Sequence, residues 1–558
     1  MEITNQNFLQ QLPSVLRTIQ EADFFAIDGE FTGLTSDRNV FPFDTPEEVY
    51  LKTIDNCSDF VIIQLGLCAF RVDPDSGQVS YKCYNFYCFP RGRSHPFACQ
   101  GDSMHFLAEN GFDFNKLFLE GLSYYGEADE ERFRADLKDR QEQRAATLEA
   151  LDDEEANGEN SNVNMVPVPP TEEKTLSEIS EKIEAFIASD EVNFTISNCN
   201  GFQRKLVYQL IETKFKKNIS TSSVNLENNH KGILVERKRT KDQEVELEKQ
   251  RCAQEQEDLT KAIGLSLVLQ ELSKAKKMII GHNMLLDLLF IIRQFFRPLP
   301  PNYQDFKKVV RELFPLILDT KYLCTNGEIK VHVNSSVLSH VFEAVQKEPF
   351  KLPEVVSGFE DHKYCPNEMK QHEAGFDAFL TGQCFLGLAS FLQVDIKNVE
   401  KDPILKSYLN RIFLLRLAEV NYIYIHGKEP TFSRDHIFYI TFPEQWRQSD
   451  IVNRFRNYGQ VYVNWVSNSS AFVSLHQRDH AGQVIRTIDK SPVGFTICSL
   501  NQFKAKQQCA GGTKRKHDSG NKETEVVLPA VSASEVANFG AGNNPKKARK
   551  AFAEDNDW

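Results

Sequence analysis

Apolar positions recur along the chain with two periods, and each change of period marks an element. Phe8, Leu9, Leu12, Val15, Leu16 and Ile19 keep helical spacing, so residues 1–22 are expected to form a helix that Asn5-Gln6-Asn7 can cap. Phe24-Phe25-Ala26-Ile27 then reads as a buried strand running on to Leu34. Asp59–Phe70 and Tyr81–Pro90 read as two more strands, and Asp73-Pro74-Asp75-Ser76-Gly77 between them has the composition of a hairpin turn. Residues 103–123 return to helical spacing. Residues 277–288 switch from strand to helix at Gly281-His282, and Phe314–Lys321 is a further apolar strand ending in polar residues. Helical periods follow at 335–346, 371–392 and 408–420.

Interruptions in this pattern suggest the domain plan. Glu127 to Glu155 is charged throughout and reads as a solvated helix, and Asn157 to Pro170 is a flexible linker by its Asn, Gly and Pro content. Residues 173–243 form a separate block, with Ile179, Ile183, Phe186 and Ile187 on one helical face, and 236–260 is a dense charge mix expected to be another solvated helix. From 435 to 503 the order is strand, helix, strand, strand, helix, strand, the split βαβ order of an RNA-recognition-type domain. Beyond 503 hydrophobic residues are sparse and the chain is expected to be disordered. The expected plan is a discontinuous α/β core over 1–160 and 246–425, a small inserted α/β domain at 173–243, an α+β domain at 430–502 and a basic tail at 503–558.

Composition narrows the class. A chain of 558 residues with 41% hydrophobic and 11% aromatic content is globular and too long for one core. The absence of an apolar run of membrane-spanning length and of a signal-peptide pattern at Met1-Glu2-Ile3-Thr4 leads to the expectation of a soluble, non-secreted protein. Twelve cysteines without a CxxC pair read as reduced, mostly buried thiols. A net charge of −13 excludes a surface coated in basic charge for nonspecific nucleic-acid binding, while leaving room for a local groove or a metal-bridged contact to phosphate.

The chemistry starts inside the first strand. Asp28 and Glu30 stand at i and i+2, so they point to one face a few ångströms apart. Two like charges held that close in an apolar setting are costly unless a cation sits between them. Asp287 lies four residues after Asn283 in a helix that follows a buried strand, suiting a site at the carboxyl end of a sheet. His372 and Asp377 complete the set, with His372 placed in the loop before its helix and Gly375 easing the turn into it. Four carboxylates and one imidazole can hold two hard cations and supply a base.

The order Asp28/Glu30, Asp287, His372/Asp377 resembles the DEDD exonucleases, in the subgroup with a histidine base. Phe24–Leu34, Gly281–Asp287, Leu318–Lys321, His372–Asp377 and Gly201–Leu206 extend that resemblance, over about residues 1–500, to the poly(A)-specific ribonuclease family. The resemblance implies a ribonuclease-H-like mixed sheet and 3′→5′ hydrolysis of polyadenylated RNA with release of 5′-AMP. It implies that Asp28, Glu30, Asp287 and Asp377 hold two Mg²⁺, with Mn²⁺ also suitable, and that His372 is the general base. By the same resemblance Phe31 packs against the terminal nucleotide, Lys321 contacts the RNA backbone and Trp465 stacks on a 7-methylguanosine cap. The insert resembles a domain built around an Arg-x-x-x-His motif, but has Tyr208 where the histidine follows Arg204. A homodimer without a membrane segment is implied. Lys514-Arg515-Lys516 and Pro545–Lys550 suit nuclear localisation signals, for a protein of nucleus and cytoplasm. The competing readings are an inactive RNA- or cap-binding adaptor and a DEDD nuclease trimming other RNA 3′ ends.

Overall fold

The computed structural model describes residues 1–511 except 35–39, 57, 92–95, 157–165, 190, 198, 217, 226–230, 239–240, 360–363, 365–371 and 399–401; the expected linker falls largely, and the basic clusters wholly, outside the described residues. The chain opens with strand β1 (Glu2–Ile3), where a helix is expected, and helix α1 (Phe8–Glu21) begins only afterwards. Asn7 occupies the cap position, but its side-chain oxygen accepts from Thr4 N–H and not from the helix. The apolar run becomes β2 (Phe24–Phe31). Helix α2 (Pro46–Asn56) leads to β3 (Ile62–Val72) and β4 (Val79–Tyr87), joined by the expected turn, in which the Asp73 carboxylate accepts from the Ser76 N–H and hydroxyl.

The single helical period at 103–123 resolves into α3 (Gly101–Glu109) and α4 (Phe114–Glu120). Gly111, at φ +82°, breaks it, and Asp113 caps the second helix by accepting from Lys116 N–H. The charged stretches are α5 (Glu127–Ala156) and, after the insert, α8 (Lys241–Ile263). They pair through Arg144, 2.7 Å from both Glu248 and Glu255, and through Leu137, Leu259 and Ile263. The insert itself holds α6 (Glu173–Ala188), β5 (Asn193–Ile196), α7 (Gly201–Leu210), β6 (Ile219–Asn225) and β7 (Lys231–Arg237), with sheet order β5-β7-β6.

The core resumes with α9 (Leu265–Ala275), β8 (Met278–Gly281), α10 (Leu285–Ile291), α11 (Tyr303–Leu313), β9 (Ile317–Asp319), α12 (Thr320–Thr325), α13 (Leu338–Val345), β10 (Val355–Ser357) and α14 (Ala374–Phe391). The mixed sheet has the order β1-β4-β3-β2-β8-β9, with β10 also on β4. Strand β2 runs antiparallel to β3 and parallel to β8, near the centre. Its alternate side chains feed two cores. Phe25 and Ile27 pack with α1, α9 and α10; Phe24 and Ala26 pack with α13 and α14. This is the expected α/β class, a sheet covered on both faces.

The expected helix at 408–420 is instead the hairpin β11 (Arg411–Phe413) and β12 (Tyr422–Tyr424). A short apolar run fits either period, and here long-range hydrogen bonds decide it. The Asn410 side chain accepts from Ile317 N–H, and Asp319 accepts from Phe413 N–H, tying the segment to β9.

The C-terminal unit comprises β13 (Ile437–Thr441), α15 (Gln448–Phe455), β14 (Val461–Ser467), β15 (Ser470–Leu475), α16 (Ala481–Thr487), β16 (Thr496–Ser499) and α17 (Leu500–Gly511). The chain order of strands and helices is the one expected from the sequence; in space the sheet runs β14-β15-β13-β16, with both α15 and α16 on one face. Helix α17 crosses residue 503, where the sequence composition turns tail-like. Its Phe503 lies on the open face of the sheet, 4.2 Å from Tyr439 and 5.2 Å from Phe472 between ring centres. Phe41 and Phe43, from the segment after β2, reach the same face at 5.5 and 5.8 Å from Phe472. Lys504 bonds to Glu48, and Arg434 to Glu419, around this contact. Among the described residues no helix is long and apolar enough to cross a membrane.

Candidate active site

Asp28 and Glu30 continue the row begun by Phe24 and Ala26, so β2 delivers both carboxylates to the face covered by α14. A register shift against β3 between Glu30 and Phe31 ends the regular pairing at this point. Asp377 lies in the first turn of α14. Carboxylate oxygens of Asp28, Glu30 and Asp377 all lie within 4.8 Å of one another. His372 stands in the turn before the helix, as expected, at φ +70°, and its backbone N–H donates to Asp377 Oδ2 at 3.0 Å. Its ring meets the edge of Phe106 at 4.5 Å, an aromatic neighbour that helical spacing alone could not single out.

Gly375 does not ease a turn. A Cβ there would stand 2.8 Å from the Tyr364 hydroxyl and 3.2 Å from Asn85 Cβ, so its missing side chain allows α14 to lie directly on β4.

Asp287 approaches from the first turn of α10, on the other side of β2. It is not one of the three mutually close carboxylates. Its Oδ1 is buried without a hydrogen-bond partner among the described residues, and stands 3.1 Å from where a Gly29 Cβ would be. A buried carboxylate oxygen left unpaired beside two other acids is costly by itself and is the kind of group a cation satisfies.

The electrostatics carry the same message. Burial, then the charges of Asp287, Asp377 and Glu30, raise the Asp28 carboxyl well above the usual range. Burial, then Asp377 and Asp287, do the same to Glu30. Burial pushes Asp287 and Asp377 up to about 7, with smaller contributions from Asp319 and Glu373 respectively. Burial lowers the His372 imidazole, keeping it neutral. Oxygen-only donors of this kind suit a hard divalent cation.

Asp319, inside the Leu318–Lys321 stretch but given no role of its own by the sequence, holds the backbone around the cluster. It is buried at the end of β9, and its two oxygens accept from the N–H groups of Asn283 (2.9 Å), Met284 (3.2 Å), Lys321 (3.0 Å) and Phe413 (3.0 Å). The first two fix the turn at Asn283, φ +64°, that launches α10 and therefore Asp287. Asp319→Asn keeps one acceptor oxygen and turns an NH₂ toward two of the donors. A loss of at least about 3 kcal/mol is expected, read as a lowered melting temperature; a variant as stable as wild type would remove this role.

Lys321 is buried at the start of α12, with Nζ 5.8 Å from the centre of the Phe413 ring. Phe31 stacks on Phe290 at 4.8 Å. Trp465 lies on β14, 43% exposed, edge-on to Phe442 at 5.2 Å. In the insert, Arg204 donates to the carbonyls of Cys199 and Lys231, so its guanidinium serves the insert's own fold, while Tyr208 is exposed.

The CAF1 family ribonuclease domain matches residues 3–385, and an RNA binding domain matches 427–506. The chain is 34% identical over 534 residues to poly(A)-specific ribonuclease PARN of Xenopus laevis, across 92% of this chain and 83% of that protein. Identity to PARN of Homo sapiens is also 34%, over 92% and 82% of the two chains. Poly(A)-specific ribonuclease PNLDC1 of Homo sapiens is 29% identical over 85% and 91%. The solved structure of S. pombe Pop2p, in its Mg²⁺- and Mn²⁺-bound form, aligns with a TM-score of 0.31 at 15% identity, over 70% of this chain and 91% of that one. By its domain match and by its likeness to these relatives along most of their length, this chain belongs to the CAF1 ribonuclease family, among the poly(A)-specific ribonucleases.

Proposed function

We propose that this enzyme removes nucleotides one at a time from the 3′ end of polyadenylated RNA, with a divalent cation held by Asp28, Glu30 and Asp377 and reached by Asp287. The observation that carries the reading is the gathering of three carboxylates within 4.8 Å beside a fourth with an oxygen that has no partner among the described residues. These four carboxylates would hold Mg²⁺ or Mn²⁺, which would supply positive charge toward the attacked phosphate and make a water easier to deprotonate. His372, neutral because burial disfavours its charged form, takes the proton from that water. Asp377 receives the His372 backbone N–H, so base and carboxylate cluster share one rigid turn. Attack at the terminal phosphate, with the 3′ oxygen of the penultimate nucleotide leaving, releases 5′-AMP. Phe31 bounds the terminal nucleotide, and Lys321 supplies positive charge toward the RNA backbone. The preference for poly(A) rests on the relatives' names.

The test is timed digestion of a 5′-labelled RNA with a short 3′ oligo(A) tract, in Mg²⁺, in EDTA, and against an oligo(C) tail. A Mg²⁺-dependent ladder shortening from the 3′ end, faster on oligo(A), is expected. Shortening without base preference would remove the poly(A) assignment and leave a nuclease of other RNA 3′ ends. RNA binding without cleavage would favour an adaptor.

Cap binding is assigned to Trp465, whose exposed indole suits stacking on a cationic purine. Trp465→Ala is expected to weaken binding of capped RNA about tenfold, the worth of roughly one stacking contact, while hydrolysis of uncapped oligo(A) is unchanged. Equal loss on both substrates would rule out a separate cap site. A homodimer working in nucleus and cytoplasm completes the proposal.

A further inference from the structure

We propose that Gln64 and Asn85 are positioning residues that set His372 and Asp377 by capping their helix from the sheet beneath it. The proposal rests on the reading of the carboxylate cluster given above. Helix α14 has no cap from its own sequence, since the Glu373 side chain at the cap position makes no bond to the helix amides. The leading N–H groups of a helix need partners when buried. Here Ala374 N–H donates to Gln64 Oε1 at 3.0 Å and Gly375 N–H to Asn85 Oδ1 at 3.2 Å. The acceptors come from β3 and β4, about 300 residues earlier in the chain, and both side chains are 1% exposed.

The contact is tight. A Cβ on Gly66, which lies between the two acceptors, would collide with the Ala374 carbonyl. The Cys83 thiol donates to the Gly375 carbonyl at 2.9 Å. Asn85 Nδ2 is buried and has no partner among the described residues, so the oxygen directed at α14 is what this amide contributes. The cost of an unpaired buried N–H is of order 1–3 kcal/mol.

The choice of an amide at 64 also follows from the register. Gln64 is directly opposite Glu30 on β3, and Asn85 is opposite Gly66, itself opposite Asp28. A carboxylate at 64 would cap the helix equally well, but would add a further negative charge beside Glu30. A neutral acceptor pins α14 without perturbing the cluster. Because His372 and Asp377 are joined by a hydrogen bond across the first turn, a displaced helix start moves base and ligand together.

The experiment compares Gln64→Met, Asn85→Leu and Asn85→Asp with wild type and with Asp377→Asn. It reads kcat and KM on oligo(A), melting temperature, and amide hydrogen exchange of a peptide spanning 372–380. Gln64→Met and Asn85→Leu are expected to lower kcat by about 10- to 100-fold, the size of effect that a misplacement near 1 Å produces, with KM within about twofold. Exchange should quicken in the first turn of α14 and nowhere else. Asn85→Asp keeps an acceptor under the helix N-terminus and should restore both exchange and kcat to within a few-fold of wild type. Unchanged kcat in Gln64→Met, unchanged exchange, or equal damage from Asn85→Asp and Asn85→Leu would each overturn the proposal. Global unfolding of both Gln64→Met and Asn85→Leu would also overturn it, as a purely structural role. If wild type itself fails to cleave RNA, the reading of the cluster falls, while the exchange data still report whether the two amides hold the helix.

Discussion

Asp28→Asn is expected to reduce RNA hydrolysis by about 10³-fold or more while raising the melting temperature of the metal-free protein by a few degrees. The two effects have one cause. Asp28 is at the centre of the cluster, with Asp287, Asp377 and Glu30 all raising its carboxyl. In the absence of a cation the folded state holds the group against burial and three like charges, and an isosteric amide removes that cost. With a cation, the same substitution removes a ligand oxygen from a set whose contribution to phosphoryl-transfer chemistry is several kcal/mol, and each 1.4 kcal/mol is a factor of ten in rate. The measurements are single-turnover hydrolysis and a thermal melt in EDTA. Activity within tenfold of wild type would remove Asp28 from the ligand set. A large fall in melting temperature would make it a structural acid.

The second large effect is a pH dependence that a divalent cation reverses. Asp287 and Asp377 titrate near 7 in the fold, against an ordinary carboxyl value near 4. Between those values the native state keeps protons that the unfolded chain has released. The stability that these two groups contribute to the metal-free protein therefore falls as pH rises from about 4 to about 7, and is lost above that range. Three pH units correspond to as much as about 4 kcal/mol per group, an upper bound for buried and mutually interacting acids. A cation competes with those protons, so its stabilisation grows with pH over the same window. Melting temperature should be followed from pH 5 to 8 in EDTA and in Mg²⁺. The separation between the curves isolates this site, because the chain's other carboxylates contribute to both. Curves that stay parallel would show that no cation binds these acids.

The parts of this site legible in the sequence are those where charge interrupts an apolar run. Asp28 and Glu30 stand out because alternation along a strand leaves them nowhere but a covered face. Asp287 follows a strand-to-helix switch, and His372 and Asp377 bracket a helix start. What was not legible depends on hydrogen bonds between distant segments. Gln64 looks like one polar residue in a strand, and its role appears only when Ala374 arrives 310 positions later. Asp319 looks like an ordinary strand-end acid until Phe413 is brought beside it. The hairpin at 411–424 escapes a local reading for the same reason: its pattern permits a helix, and hydrogen bonds to β9 override it. Helix α17 leaves little trace in the composition because its anchors, Leu500 and Phe503, precede a polar stretch that dominates any compositional window.

The covered sheet of the C-terminal unit bears on how this protein is best taken apart. Excising residues 427–506 would strip away Phe41 and Phe43 and leave Tyr439 and Phe472 with only part of their cover. Newly bared aromatic rings on a β-sheet are a generic stacking platform for single-stranded nucleic acid. Such a fragment would acquire an affinity that the intact chain, with those rings already packed, does not express. Binding constants from the excised unit would therefore overstate its share of RNA capture, and the whole chain is the proper unit for measuring it.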